Sequence, residues 1–241
     1  MNRILATSML AIVASLTSPA SSLGASLQVA PVSLQVIAPG ANTSLQLTNE
    51  GEQPISAQIR VFRWSQAEGA EELAPSDAVV VSPPAVTLTP HQQYTVRVIR
   101  LDQTPISAEE TYRVIVDELP DAARMQNGAV TMTLRYSIPL FFTAPAAAPP
   151  HLSWGVESQK NQVTVVAKND GDRRLRLSAM KLRDKSGAVA SFGDGLVGYV
   201  LGHSSMRFVS RGKSGGFGAG SVSIKADSDL GRLDAVAPIT K

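Results

Sequence analysis

Residues 128–142, GAVTMTLRYSIPLFF, carry an apolar side chain at every second position, from Val130 through Met132, Leu134, Tyr136, Ile138 and Leu140 to Phe142. Such alternation places all seven on one face of an extended strand, and it runs for about twice the commonest strand length of roughly five to six residues. Pro139 narrows the possibilities, because a residue without an N–H belongs on a sheet edge or at a bulge. A long apolar edge is an aggregation hazard that proteins ordinarily suppress. Either something covers this one, or its exposure is the purpose of the chain. Residues 138–142 are expected in the core of their own sheet, whereas Val130, Met132 and Leu134 outrun a normal strand. Each such side chain contributes roughly 1.5–3 kcal/mol when fully buried, so three left uncovered forfeit several kcal/mol unless a partner supplies the missing surface.

The same period recurs upstream with turn signals between the runs. Strands are expected over 27–37, 44–48, 55–64, 79–82, 85–88, 93–100, 112–119 and 129–142, separated by PGAN (39–42), NEGEQP (49–54), SPP (82–84) and NG (127–128). Seven or eight short strands in about 120 residues is the pattern of an immunoglobulin-like sandwich. TAPAAAPP, 143–150, reads as a short semi-rigid linker. Beyond it strands are expected over 152–156, 162–167, 175–182, 189–192, 205–209, 221–226 and 231–236. An internal echo links the halves: LQLTNEGEQPISAQI holds Asn49 and Gly51, and VVAKNDGDRRLRLSA holds Asn169 and Gly171, 120 positions on. Asn and Gly both tolerate the left-handed backbone of a tight strand connection. The expected fold is all-β, two immunoglobulin-like sandwiches over 25–145 and 146–241. The glycine-rich stretch 210–221 reads as a flexible strand connection, since no helix follows it as a phosphate loop would require.

MNRILATSMLAIVASLTSPASSLGA opens the chain with Arg3, an apolar run over 4–16 and a small-x-small site at Ser22-Leu23-Gly24. That is the grammar of a cleaved export signal, expected over 1–24, and the run is too short and too interrupted to span a bilayer. Cysteine is absent, which excludes disulfides, thiolate metal sites and thiol catalysis. Residues 25–145 hold seven arginines, no lysine and twelve acids, a net −5, while residues 151–241 hold fourteen bases and eight acids, a net +6. Aromatics are 5% of the chain and do not interleave with basic residues, so nucleic acid is a poor partner. His91, His151 and His203 are isolated, and Asp117 and Glu118 are adjacent on a strand and point to opposite faces. No catalytic residue, metal site or cofactor is expected.

QIRVFRWSQ (58–66), SPP (82–84), YRVIVDELP (112–120) and LRYSIPLFF (134–142), in that order, resemble the periplasmic chaperones of chaperone–usher pili, and most closely the archaic branch that serves spore-coat-U-like subunits. The resemblance continues more loosely over 152–239, where Gly198-Tyr199-Val200-Leu201 matches the second domain. It implies two immunoglobulin-like domains set at an angle with a cleft between them, and no enzymatic activity. It further implies a periplasmic chaperone that lends an edge strand to pilus subunits lacking their last strand, delivers them to an outer-membrane usher and, unloaded, self-caps as a dimer. The donor positions it implies are Val130, Met132 and Leu134, with Tyr136 flanking.

The better-known branch holds the subunit's C-terminal carboxylate with an arginine and a lysine, and those positions fall here on Ser33 and Pro139. Arg135, on the same strand face as Pro139, is the first substitute, with Arg60 and Arg63 as alternatives. Arg97 matches instead a family arginine that pairs with Glu118 and with Asp229 or Asp227, a network expected to set the angle between domains. The residues also admit a different class: a secreted immunoglobulin-like structural or adhesive protein that pairs through its edge strand.

Overall fold

The computed structural model describes residues 26–121, 132–159, 162–211, 217–218 and 220–240. The expected leader, residue Val130 and half of the glycine-rich connection lie outside the described residues. In chain order the first ten strands are β1 (Leu27–Ala30), β2 (Leu34–Ile37), β3 (Asn42–Asn49), β4 (Ile55–Ala67), β5 (Ala70–Pro75), β6 (Val79–Ser82), β7 (Ala85–Leu88), β8 (Gln93–Arg100), β9 (Glu109–Leu119) and β10 (Arg135–Thr143). They form a four-stranded sheet, β1-β3-β8-β6, facing a six-stranded one, β2-β10-β9-β4-β5 with β7 beside β4. Alternation does the sorting. The inward residues Leu27, Leu45, Leu47, Ile59, Val96, Val98, Tyr112, Val114, Val116, Ile138, Leu140 and Phe142 fuse into one core between the sheets.

The expected single strand over 27–37 is two. Pro31 offers no N–H to the ladder, and the chain crosses there from one sheet to the other, β1 pairing with β3 and β2 running parallel to β10. The acidic strand β5 was not anticipated, because every residue of AEELAP is exposed and none alternates. Within the described residues β10 begins at Arg135, and the expected start near 129 lies outside them.

The second unit comprises β11 (Leu152–Gln159), β12 (Gln162–Asn169), β13 (Leu175–Asp184), β14 (Val189–Ser191), β15 (Leu196–Val200), β16 (Ser204–Val209), β17 (Gly220–Ser228) and β18 (Gly231–Thr240). They hydrogen-bond as β14-β13-β17-β18-β11-β12-β16, with β15 also on β13, around a second core that includes Val156, Val165, Leu177, Met180, Leu182 and Ile224. Strand β15 is the one here that alternation missed; Gly198 interrupts it at a φ of 155°.

The Asn-Gly echo survives with a different cause. Both asparagines are fully buried. Asn49 Nδ2 donates to the carbonyls of Gln53 and Leu88, and Asn169 Nδ2 to those of Arg173 and Val200. Each Oδ1 accepts from the glycine two residues on, at 3.0 Å. None of the four residues has a positive φ. Glycine is required for space: a Cβ on Gly171 would sit 2.1 Å from the Pro149 carbonyl oxygen.

Candidate functional site

Strand β10 has two unequal halves. On one side it pairs with β9 along its whole length, Arg135 opposite Asp117 through Thr143 opposite Glu109. On the other side β2 covers only Leu140 through Thr143. Among the described residues, the backbone from Arg135 to Pro139 therefore has a free edge, and Pro139, with no N–H to offer, stands where pairing stops. The apolar face divides in the same place. Ile138, Leu140 and Phe142 are buried in the core, Leu134 and Tyr136 are half-buried against it, and Met132 is 85% exposed. Tyr136 is tied inward by its hydroxyl, which donates to the Leu27 carbonyl at 2.5 Å. Of the four donor positions, then, Met132 points free, Leu134 sits at the margin, Tyr136 is held by its own sandwich, and Val130 is not described.

The outward face of the same sheet carries Arg60, Arg113 and Arg135, whereas Arg63 lies on the core-facing side of β4, opposite Tyr112. Asp117 is bracketed by two of them: Arg60 Nη2 meets Oδ2 at 2.6 Å, and Arg135 Nε meets Oδ1. Burial raises the Asp117 pKa, but the hydrogen bonds from Arg135 and Arg60 outweigh that and hold it below the usual carboxylate range. Two of the three arginines expected to receive a carboxylate are thus already engaged. Arg63 stacks over the Tyr112 ring at 4.9 Å. Arg113 was not singled out, yet it lies opposite Pro139 in β10 and Phe62 in β4. Its guanidinium sits 3.7 Å from the Trp64 ring centroid and 5.7 Å from that of Tyr199. Burial pulls its pKa down, and Glu71, 3.5 Å away, only partly offsets this. The available signal was YRVIVDELP itself: with Val114 and Val116 facing inward, Arg113, Ile115 and Asp117 must share the other face.

The expected Arg97 network does not form. Arg97 lies on the opposite sheet, exposed and without an ion pair among the described residues, while the Glu118 side chain accepts from the Leu134 N–H at 3.3 Å. Asp229 accepts from the Arg176 N–H, and Asp227 offers Ser178 only its backbone carbonyl. Position along a strand could not reveal this, because it leaves open which sheet the strand joins. The two units are joined instead by Glu109 and Arg174, 1% and 9% exposed, at 2.6 Å, with Arg174 lying 3.4 Å over the Phe141 ring. Trp64, Phe141, Tyr199 and Leu201 form a small core between them. Gln66 adds two bonds to backbone, donating to the Tyr199 carbonyl at 2.9 Å and accepting from the Leu201 N–H at 3.0 Å.

The family model for pili and flagellar-assembly chaperones, PapD N-terminal domain, matches residues 26–148. No curated protein matches the sequence. Among solved structures the chain is similar to the chaperone of the CsuC–CsuE chaperone–tip adhesion subunit pre-assembly complex from the archaic chaperone–usher Csu pili of Acinetobacter baumannii. That match has 26% identity and a TM-score of 0.68, covering 90% of this chain and 100% of that one. A chain of the Salmonella enterica SafA pilin–SafB chaperone complex matches at 18% identity and TM-score 0.60, over 88% and 96% of the two chains. The Pseudomonas aeruginosa CupB2 chaperone matches at 17% and 0.56, over 88% and 100%. The last two, at those identities, speak for the fold alone.

Proposed function

The chain belongs to the pili-assembly chaperone family, on its archaic chaperone–usher branch, and from that premise we propose that it is a periplasmic chaperone for pilus subunits. It completes a subunit that lacks a strand with the segment entering β10, then yields it to an outer-membrane usher. The observation that carries this reading is the one-sided pairing of β10 from Arg135 to Pro139, preceded by the exposed Met132. A free edge supplies backbone hydrogen bonds to a subunit strand, while alternate apolar side chains fill the groove where the subunit's own core is incomplete. Neither step needs a cofactor or nucleotide.

Arg113 is the cation best suited to the subunit's C-terminal carboxylate. Arg60 and Arg135 are engaged by Asp117, whereas Arg113 is desolvated, weakly paired and next to Pro139. A guanidinium in that state gains most from a planar, bidentate anion. The test is co-expression with the cognate subunit. Met132→Asp combined with Leu134→Asp is expected to abolish soluble subunit and piliation while the chaperone itself stays folded. Undiminished complex and undiminished piliation would rule out donation by this segment.

A further inference from the structure

The ionic cluster on the outward face of β10 engages the first residue of the strand, next to the segment that carries Met132 and Leu134. Three neighbouring strands contribute one residue each: Arg60 from β4, Asp117 from β9 and Arg135 from β10. Each Asp117 oxygen receives a different arginine. Ile115, between Arg60 and Ser137 in register, is buried beside them although it faces away from the core. Just beyond, residues 132–134 have left the strand, and Leu134 keeps two bonds to Glu118: its carbonyl accepts from the Glu118 N–H at 2.9 Å and its N–H donates to Oε2 at 3.3 Å.

Resting on the chaperone reading above, we infer that Asp117 is a positioning residue: by clamping Arg60 and Arg135 it fixes the exit of β10, so that Met132 and Leu134, rather than Thr133, are presented to the subunit. The physical reason is the strand period of two. A slip or twist of one residue at the exit turns every following side chain to the opposite face. The core holds register up to Ile138 and β2 does not reach past Leu140, so toward Arg135 the strand is held on one side only, by the β9 ladder, and the cluster adds the side-chain tie on its outward face.

The clamp makes a prediction opposite in sign to a carboxylate-anchor role for the same arginines. If Arg60 and Arg135 met the subunit's carboxylate themselves, Asp117→Asn would free them and strengthen capture. The clamp requires it to weaken capture instead, as Arg135→Gln does. Both full-length variants, purified from periplasm, are compared with wild type for capture of the cognate subunit and for amide hydrogen exchange over residues 132–137 of the free protein. Expected are a loss of about five- to tenfold in capture, the scale of two partly exposed charge-assisted bonds, and faster exchange over that segment. Capture by Asp117→Asn equal to or above wild type, or unchanged exchange, overturns the clamp. Arg135→Gln, at a side chain 67% exposed, keeps the test decisive should Asp117→Asn fold poorly. Failure of the wild type to capture any subunit overturns the chaperone reading instead, and the exchange measurement still judges the clamp.

Discussion

Glu110 illustrates how single side chains set the conditions under which this chain holds together. It receives Arg100 through two hydrogen bonds, at 2.8 and 2.9 Å, and the Tyr112 hydroxyl at 3.1 Å. The Arg100 hydrogen bonds are the largest influence on its pKa and outweigh burial, so it lies below the usual carboxylate range. A carboxylate whose folded pKa is depressed adds stability that is fully present above its unfolded value, about 4.3, and is lost as pH falls through the folded value. Glu110→Gln is therefore expected to cost about 2 kcal/mol near neutrality, with the gap to wild type closing below about pH 4. Urea unfolding across that pH range measures it; a gap independent of pH would show that the charge does not matter. Asn49 and Asn169 teach a related lesson at this scale. Their recurrence is legible in the chain, but their role as buried hydrogen-bond hubs depends on carbonyls of Leu88 and Val200, far away in sequence.

Strand β10 combines two tasks that its pattern does not separate. Ile138 and Met132 sit on the same alternating face, yet one is 3% exposed and the other 85%. Ile138→Ala is expected to destabilise the fold by about 2–4 kcal/mol, the cost of a core truncation. Met132→Ala is expected to stay within about 0.5 kcal/mol of wild type while reducing subunit capture. Denaturant midpoints and co-purified subunit, measured on the same two variants, check this; a Met132→Ala midpoint as low as that of Ile138→Ala would mean the side chain serves its own core. Strand β4 shows the same division on its outward face. Arg60 and Phe62 reach solvent, whereas Trp64 and Gln66, two and four residues beyond Phe62, are buried against the second unit. One hairpin thus stabilises the first sandwich and props the second. Its tip, Glu68 and Gly69, takes positive φ at both residues, and a Cβ on Gly69 would fall 2.3 Å from Arg207 Cγ.

At the scale of the molecule, the joint between the units is built from a buried ion pair, a four-residue apolar cluster and side-chain bonds to backbone. Removing one partner of a buried pair leaves the other charge uncompensated, at a cost of about 3–5 kcal/mol. Arg174→Ala is expected to split a single calorimetric melt into two transitions by uncoupling the sandwiches; one cooperative transition in the variant would place the coupling elsewhere. The sequence alone determined most of the strands, their inward faces and the unusual apolar strand, because alternation and turn chemistry are local properties of the chain; β5 and β15, which do not alternate, escaped it. Only the tertiary structure decided that β1 and β2 join different sheets, that Arg97 faces solvent while Arg174 finds Glu109, and that Asp117 claims two of the three arginines expected to wait for a ligand. Each of those depends on which strands become neighbours, and long-range neighbours are chosen by the packing of the whole core.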